Sequence, residues 1–199
     1  MKAYLGLLRS RPAYRALWAA EVVSITGDWF SLVAVSILAA RSSTTPSALA
    51  LATVLAAHML PQALFSPAAG WLADRFDRRS ILIGGNLIEG ALTIGMALAA
   101  SAGSLALLQA LLFLRSATAT LRGPASGASL PSLVEPSEVA TANAFGAATW
   151  SATFVVGMAL GGLATELGPV TALVIDAGTF GVASLILRRL PSLPRAERR

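Results

Sequence analysis

Residues 70–79 read Gly70-Trp71-Leu72-Ala73-Asp74-Arg75-Phe76-Asp77-Arg78-Arg79. These ten positions hold three arginines and two aspartates, directly after a long apolar run. The whole chain has 199 residues, of which 55% are hydrophobic and only 13% charged. Soluble domains carry about 25% charged residues, so this chain has roughly half the usual complement. Mean hydropathy is +0.70. The charge knot therefore separates two stretches that belong in lipid, and the chain reads as an integral membrane protein.

Working outward from the knot, six apolar segments emerge, near 16–40, 47–73, 80–100, 104–121, 141–164 and 169–187. Each reaches the roughly 20 residues that a helix needs to cross a bilayer. Ala and Leu dominate, with none of the period-two alternation of barrel strands. Lipid leaves backbone polar groups to be satisfied within the segment, which also selects helix. The expected fold is an all-α membrane protein of six transmembrane helices. Residues 1–15 form a basic lead-in, 16–187 the membrane domain and 188–199 a basic tail.

Loops on one side, at 41–46, 101–103 and 166–168, hold Arg41 as their sole basic residue. The other side collects Lys2, Arg9, Arg11, Arg15, Arg75, Arg78, Arg79, Arg122 at the end of segment four, and the arginines of the tail. The positive-inside rule assigns that side, with both termini, to the cytoplasm. The basic residues mark topology and form no single amphipathic surface, so a pI near 11.0 does not indicate a nucleic-acid partner. The apolar run after the basic N-terminus is too long for a cleaved signal peptide and carries Glu21 and Asp28. Segments one to three and four to six are expected to form a three-plus-three inverted repeat, a common transporter plan.

Ionisable residues inside the spans are costly and are functional candidates. Glu21, Ser24, Asp28 and Ser31 recur every three or four residues on helix one and form one polar stripe suited to an aqueous cavity. Asp28 lies about 18 Å from the Ala40 end and Arg115 about 17 Å from the turn before segment four, so the two are at matching depth. They are expected to meet, either as a structural pair or as one that opens when Asp28 is protonated. Thr118 and Arg122 share the Arg115 face. Glu89, Asp176 and His58 stand apart in sequence and read as isolated interhelical hydrogen-bonding residues. Without cysteine and with one histidine the chain offers no zinc set, and no metal or organic cofactor is implied. No catalytic triad, HExxH or phosphate-binding glycine loop gives support to an enzyme. Trp18, Trp29, Trp71 and Trp150 read as packing or interface residues before substrate-stacking ones.

The opening stretch resembles the loop between helices two and three of the major facilitator superfamily, G-x-L-A-D-R-x-G-R-R in outline. It matches at Gly70, Leu72, Ala73, Asp74, Arg75, Arg78 and Arg79, and departs at Asp77, where glycine is usual. The DRFDRR form resembles the branch that holds macrolide-efflux proteins and the enterobactin exporter. Ser24-Ile-Thr-Gly27-Asp28-Trp29-Phe30 is similar to that branch's first helix, Gly123–Val134 to the end of its fourth, and Thr141-Ala-Asn143-Ala to the start of its fifth. Gly157-Met-Ala-Leu-Gly161-Gly162 is similar to the antiporter motif, with Met158 where proline is usual. Arg115 is followed four residues later by Ala119, where the fourth-helix motif has glycine.

The resemblance covers nearly the whole chain but half of the family's twelve helices. It implies a secondary transporter of a bacterial inner membrane, exporting a small amphipathic compound by proton-coupled alternating access. Asp28, Glu21 and Arg115, with Ser24 and Ser31, would line the pathway. Gly70, Asp74, Arg75, Arg78 and Arg79 would form the gating loop, and Gly157, Gly161 and Gly162 a packing motif. Asp74 would meet the start of helix five in another half, supplied by a homodimer partner or a second half-transporter. A non-transporting six-helix protein that modulates a full transporter, and a truncated remnant, are the alternatives.

Overall fold

The computed structural model describes residues 2–41 and 46–193. A short helix, α1 (Lys2–Ser10), precedes α2 (Pro12–Ala40), α3 (Ser47–Arg75), α4 (Arg78–Ser101), α5 (Leu105–Ala119), α6 (Arg122–Ser129), α7 (Val139–Ala164) and α8 (Pro169–Leu187). Six spans are long and apolar enough to cross a membrane, with α5 and α6 joined as the fourth. Prolines open α2 and α8 within their first turn, where a missing N–H costs nothing. Ser104 caps α5 and Asp77 caps α4 through their side chains. Gly103 at φ +69° and Gly168 at φ +94° make the two tight turns at the far end.

Two boundaries differ from expectation, both for local reasons. Helix α2 starts at Pro12 rather than Ala16, because α1 ends at Ser10 and the chain turns once. The fourth span continues to Ser132. Its break at Thr120–Leu121 follows from Pro124, whose ring has no N–H for the Thr120 carbonyl and crowds it. Arg122 is therefore not a loop cation but the first residue of α6, inside the bundle.

Helix α8 packs between α2 and α4, α2 also packs on α7, and α5 packs between α3 and α4. Glycines permit the closest of these approaches. A side chain at Gly27 would strike the Asp176 carboxylate and the Thr179 hydroxyl of α8, and one at Gly90 would meet Phe180 Cβ at 3.2 Å. Gly157 and Gly161 of α7 do the same against α2. A Cβ there would lie 2.8 Å from the Thr26 carbonyl and 2.9 Å from Val33 Cβ, whereas a Cβ on Gly162 would meet nothing within 4 Å. Close backbone approach through small residues is the main packing device where lipid supplies no hydrophobic drive between helices. The spans of α3 and α7 are the least covered, with Leu64, Phe65, Trp71, Trp150, Phe154 and Val155 among the exposed side chains.

The α1 end of the bundle carries a buried cap. Leu7, Tyr14, Leu130, Leu133, Leu190 and Leu193 form part of one apolar cluster. Arg11 reaches Glu135 and Glu138. The last described residues fold back onto the charge knot. Asp77 Oδ1 accepts from the Leu193 N–H at 3.0 Å, the Arg78 N–H donates to the Leu193 carbonyl at 3.3 Å, and Arg79 donates to the Arg188 carbonyl at 2.8 Å. Residues 2 and 193 thus stand at the same end; Arg195, Arg198 and Arg199 lie outside the described residues.

Candidate functional site

Five ionisable side chains from four spans converge at mid-depth. Asp28 comes from α2, Glu89 from α4, Arg115 from α5, Arg122 from α6 and Asp176 from α8. Arg115 Nη1 meets Asp176 Oδ2 at 2.7 Å, and Arg115 Nη2 lies 3.4 Å from Asp28 Oδ1. Arg122 Nη1 meets Asp28 Oδ2 at 2.6 Å, and its other terminal nitrogen pairs with Glu89. Each guanidinium therefore holds one carboxylate alone, and both share Asp28. The shared acid is also the most open of the three carboxylates: its side chain is 15% exposed, against 2% for Glu89 and 0% for Asp176.

Neutral groups complete the shell. Arg115 Nη1 donates to Ser31 Oγ at 3.0 Å and lies 3.4 Å from Thr93 Oγ1. Thr179 Oγ1 donates to Asp176 Oδ1 at 3.2 Å. The buried Phe180 ring has Arg115 at 5.8 Å and Arg122 at 6.0 Å from its centroid, distances at which a ring face attracts a cation. Taking charges out of solvent is tolerable when each is paired and hydrogen-bonded, and leaving one unpaired is not. Three carboxylates face two guanidiniums, so with all five ionised the cluster carries one surplus negative charge, and it sits on the acid nearest open space.

That space is a cavity of about 390 Å³ walled by α2, α3, α5, α6 and one residue of α7. Glu21, Asp28, Arg115 and Arg122 line it, with Trp29 and Trp150 as its aromatic surface and His58, Gln62, Ser66 and Thr120 as further polar groups. Trp29 and Trp150 meet edge to face at 5.6 Å. His58 Nδ1 lies 3.3 Å from Ser116 Oγ.

The expected meeting of Asp28 and Arg115 is present, though Asp176 is the nearer partner of Arg115. The helix-one stripe divides. Glu21 and Asp28 reach the cavity, while Ser24 and Ser31 are fully buried, and Ser31 serves Arg115 instead. Thr118 donates to its own helix at the Leu114 carbonyl. Glu89 and Asp176 are not isolated: Glu89 pairs with Arg122 and Asp176 with Arg115. Sequence distance hid this, because the partners come from different spans: Glu89 and Arg122 lie 33 residues apart and Arg115 and Asp176 lie 61 apart. A signal was present in Gly27 and Gly90, which mark where α8 approaches α2 and α4.

The family profile of the Major Facilitator Superfamily matches residues 17–199. The chain belongs to this superfamily. Among major facilitator relatives, an uncharacterized MFS-type transporter of Bacillus subtilis, YfiS, is 31% identical over 186 residues, covering 93% of this chain and 44% of its own length. Macrolide efflux protein A of Streptococcus pyogenes is 26% identical over 185 residues, covering 90% of this chain and 45% of its own. An uncharacterized MFS-type transporter of Mycobacterium tuberculosis is 34% identical over 158 residues, covering 75% of this chain and 34% of its own. The chain thus spans less than half the length of these relatives, in line with its six spans.

The superfamily's loop motif divides in two. Asp77, Arg78 and Arg79 are engaged within the chain by the 188–193 segment. Asp74 and Arg75 are exposed at the end of α3, and Arg75 stacks 5.2 Å from the Trp71 ring centroid.

Proposed function

We propose that this six-helix unit is one half of a proton-coupled exporter of small amphipathic compounds, with Asp28 as its proton carrier. The observation that carries this reading is the sharing of Asp28 by Arg115 and Arg122. Each arginine keeps a private buried carboxylate, so protonation of Asp28 removes the surplus charge without stranding a cation. Proton uptake then costs the cluster little and changes what the cavity presents to a substrate. The cavity's mixture of tryptophans and polar groups suits an amphipathic molecule, and the relative from Streptococcus pyogenes is named an efflux protein.

A second six-helix unit would close the pathway, as a homodimer partner or another half. The sparsely covered faces of α3 and α7 support that arrangement, as does the exposure of Asp74 and Arg75 beside them. A carboxylate is stabilised at the positive end of a helix, and the start of the partner's α7, near Thr141, supplies one. The helix pairings also favour an inverted repeat. Exchanging spans one to three for four to six maps α2–α7 onto α5–α3 and α2–α8 onto α5–α4, and leaves α4–α8 unchanged. The basic residues gathered at the α1 end favour a cytoplasmic location for both termini in a bacterial inner membrane.

Transport assays in everted vesicles test the reading. Asp28→Asn is expected to abolish substrate-driven proton movement, while Asp74→Cys and Thr141→Cys are expected to cross-link between units. Undiminished proton-linked transport by Asp28→Asn sinks the proton role, and absence of any cross-link sinks the paired halves.

A further inference from the structure

A second cavity, of about 240 Å³, lies between the first turns of α2, the length of α6 and the start of α7. It occupies the α1 end of these helices, beyond the cavity already described. Glu21 and Gly123 line both. Among the described residues Glu21 is the one cavity acid outside the ion pairs, and it shares the second cavity's lining with Ser126. Gly123, Gly127 and Gly146 in these walls all face open space, with nothing within 4 Å of a Cβ built on them. The passage is therefore unfilled where any larger residue would narrow it.

We propose that this second cavity is the port through which protons leave toward the α1 end, with Glu21 as the relay carboxylate from Asp28. The inference rests on the proton-carrier reading of Asp28. Glu21 precedes Asp28 by seven residues on the same helix face, about 10 Å along the axis. That distance excludes direct transfer and requires water in the first cavity, which both acids line. Neutral Asp28 gives its proton to cavity water and returns to its anionic form between Arg115 and Arg122. That water passes a proton to the Glu21 carboxylate, and Glu21 gives it to water at the α1 end and becomes anionic again. Throughout, Arg122 remains with Glu89 and Arg115 with Asp176. The groups that face Glu21 are Arg122 and Ser126 of α6, Tyr14 and Asp28 of α2 and, on the far wall, Asn143 of α7. Arg115 and His58 stand across the first cavity.

The chain has no cysteine, so Gly127→Cys and Gly146→Cys each give one reactive thiol in a wall with room for it. The intact protein is exposed to a membrane-impermeant cationic thiol reagent in right-side-out and inside-out vesicles. Both thiols are expected to label from the α1 side alone, and labelled protein to move protons more slowly than the same variant unlabelled. Glu21→Gln is expected to slow substrate-linked proton movement by about 100-fold, the lower range for a positioned proton-transfer group, and Glu21→Asp to restore it. Failure to label from the α1 side, or labelled protein that moves protons at the unlabelled rate, overturns the port. Full activity of Glu21→Gln overturns the relay. A wild-type protein with no proton-linked transport defeats the functional reading instead, and side-specific labelling then still decides whether the port is open.

Discussion

Asp28 and Arg122 meet at 2.6 Å, yet neither is the other's only partner. Arg122 also holds Glu89, and Asp28 also lies 3.4 Å from Arg115. Arg122 thus ties the first, third and fourth spans together from the point where Pro124 breaks the fourth. Its Nε is buried with no hydrogen-bond partner among the described residues, so its terminal nitrogens carry its polar contacts. The site is a chain of shared charges rather than a set of separate pairs, and the consequences of removing a member depend on what it leaves behind.

Removing Arg122 leaves Glu89 buried without a cation. Arg122→Met is expected to destabilise the protein by about 3–5 kcal/mol, the cost of breaking a buried pair from one side. The double variant Arg122→Met/Glu89→Leu is expected to recover most of that loss, because apolar replacement of both partners is often neutral. Denaturant unfolding in detergent of the two single variants and the double gives the coupling energy. A single-variant loss below about 1 kcal/mol, the scale of an exposed pair, would remove Arg122 from the cluster.

Asp28→Asn and Asp176→Asn are expected to differ sharply. The first leaves two arginines with two private carboxylates, so stability should stay within about 1 kcal/mol of wild type. The second strips Arg115 of its closest partner in a fully buried position and should cost several times more. Thermal unfolding of the two variants side by side reads the difference. Equal losses would mean that Asp28 is a structural member like the others.

Much of the fold was legible because lipid imposes simple rules: six apolar runs, alternating basic loops and glycine or proline at the breaks. The site was half legible. Asp28 and Arg115 declared themselves by depth, since a charge far from either interface needs a reason. Arg122 counted toward the basic side at the end of segment four while sharing the Arg115 face; that it lies inside the span follows from the continuation of the helix after the break before Pro124. Glu89 and Asp176 looked solitary because partners from other helices leave no spacing signature. Asp77, where the family motif has glycine, gave no clue to its partner, since Leu193 lies on the far side of four spans.

Gly27 shows how far the cluster depends on backbone approach. Its missing side chain is the space into which Asp176 and Thr179 project. Gly27→Ala is expected to push α8 from α2, cost about 1–3 kcal/mol as overpacking does, and weaken the Arg115–Asp176 pair. Gly162→Ala, where a Cβ has open space, serves as the comparison and should be near neutral. Unfolding midpoints in detergent distinguish the two sites; equal effects would show that α2 and α8 adjust without strain.

Asp77 is the remaining lever, because it joins the charge knot to the end of the described chain. Its Oδ2 accepts from the Ser80 N–H at 2.8 Å and the Ser80 hydroxyl at 2.7 Å, and its Oδ1 from the Leu193 N–H. Partial burial raises its pKa, but the Ser80 and Leu193 hydrogen bonds outweigh this and hold it below the ordinary carboxylate value. A depressed folded pKa gives stability that is complete above the unfolded value, about 3.9, and lost as pH falls through the folded one. The clasp should therefore hold unchanged from neutral pH down to about 4 and loosen only below that. Asp77→Ala is expected to cost about 1 kcal/mol as a lost helix cap and to expose the Ser80 and Leu193 amides together. Asp77→Asn, which still caps, should keep the Ser80 amide protected. Hydrogen exchange at these two amides, followed between pH 4 and 7 in wild type and both variants, checks the sign as well as the size. Protection at Leu193 that survives Asp77→Ala would mean that the apolar contacts of Leu190 and Leu193 hold this segment without the carboxylate.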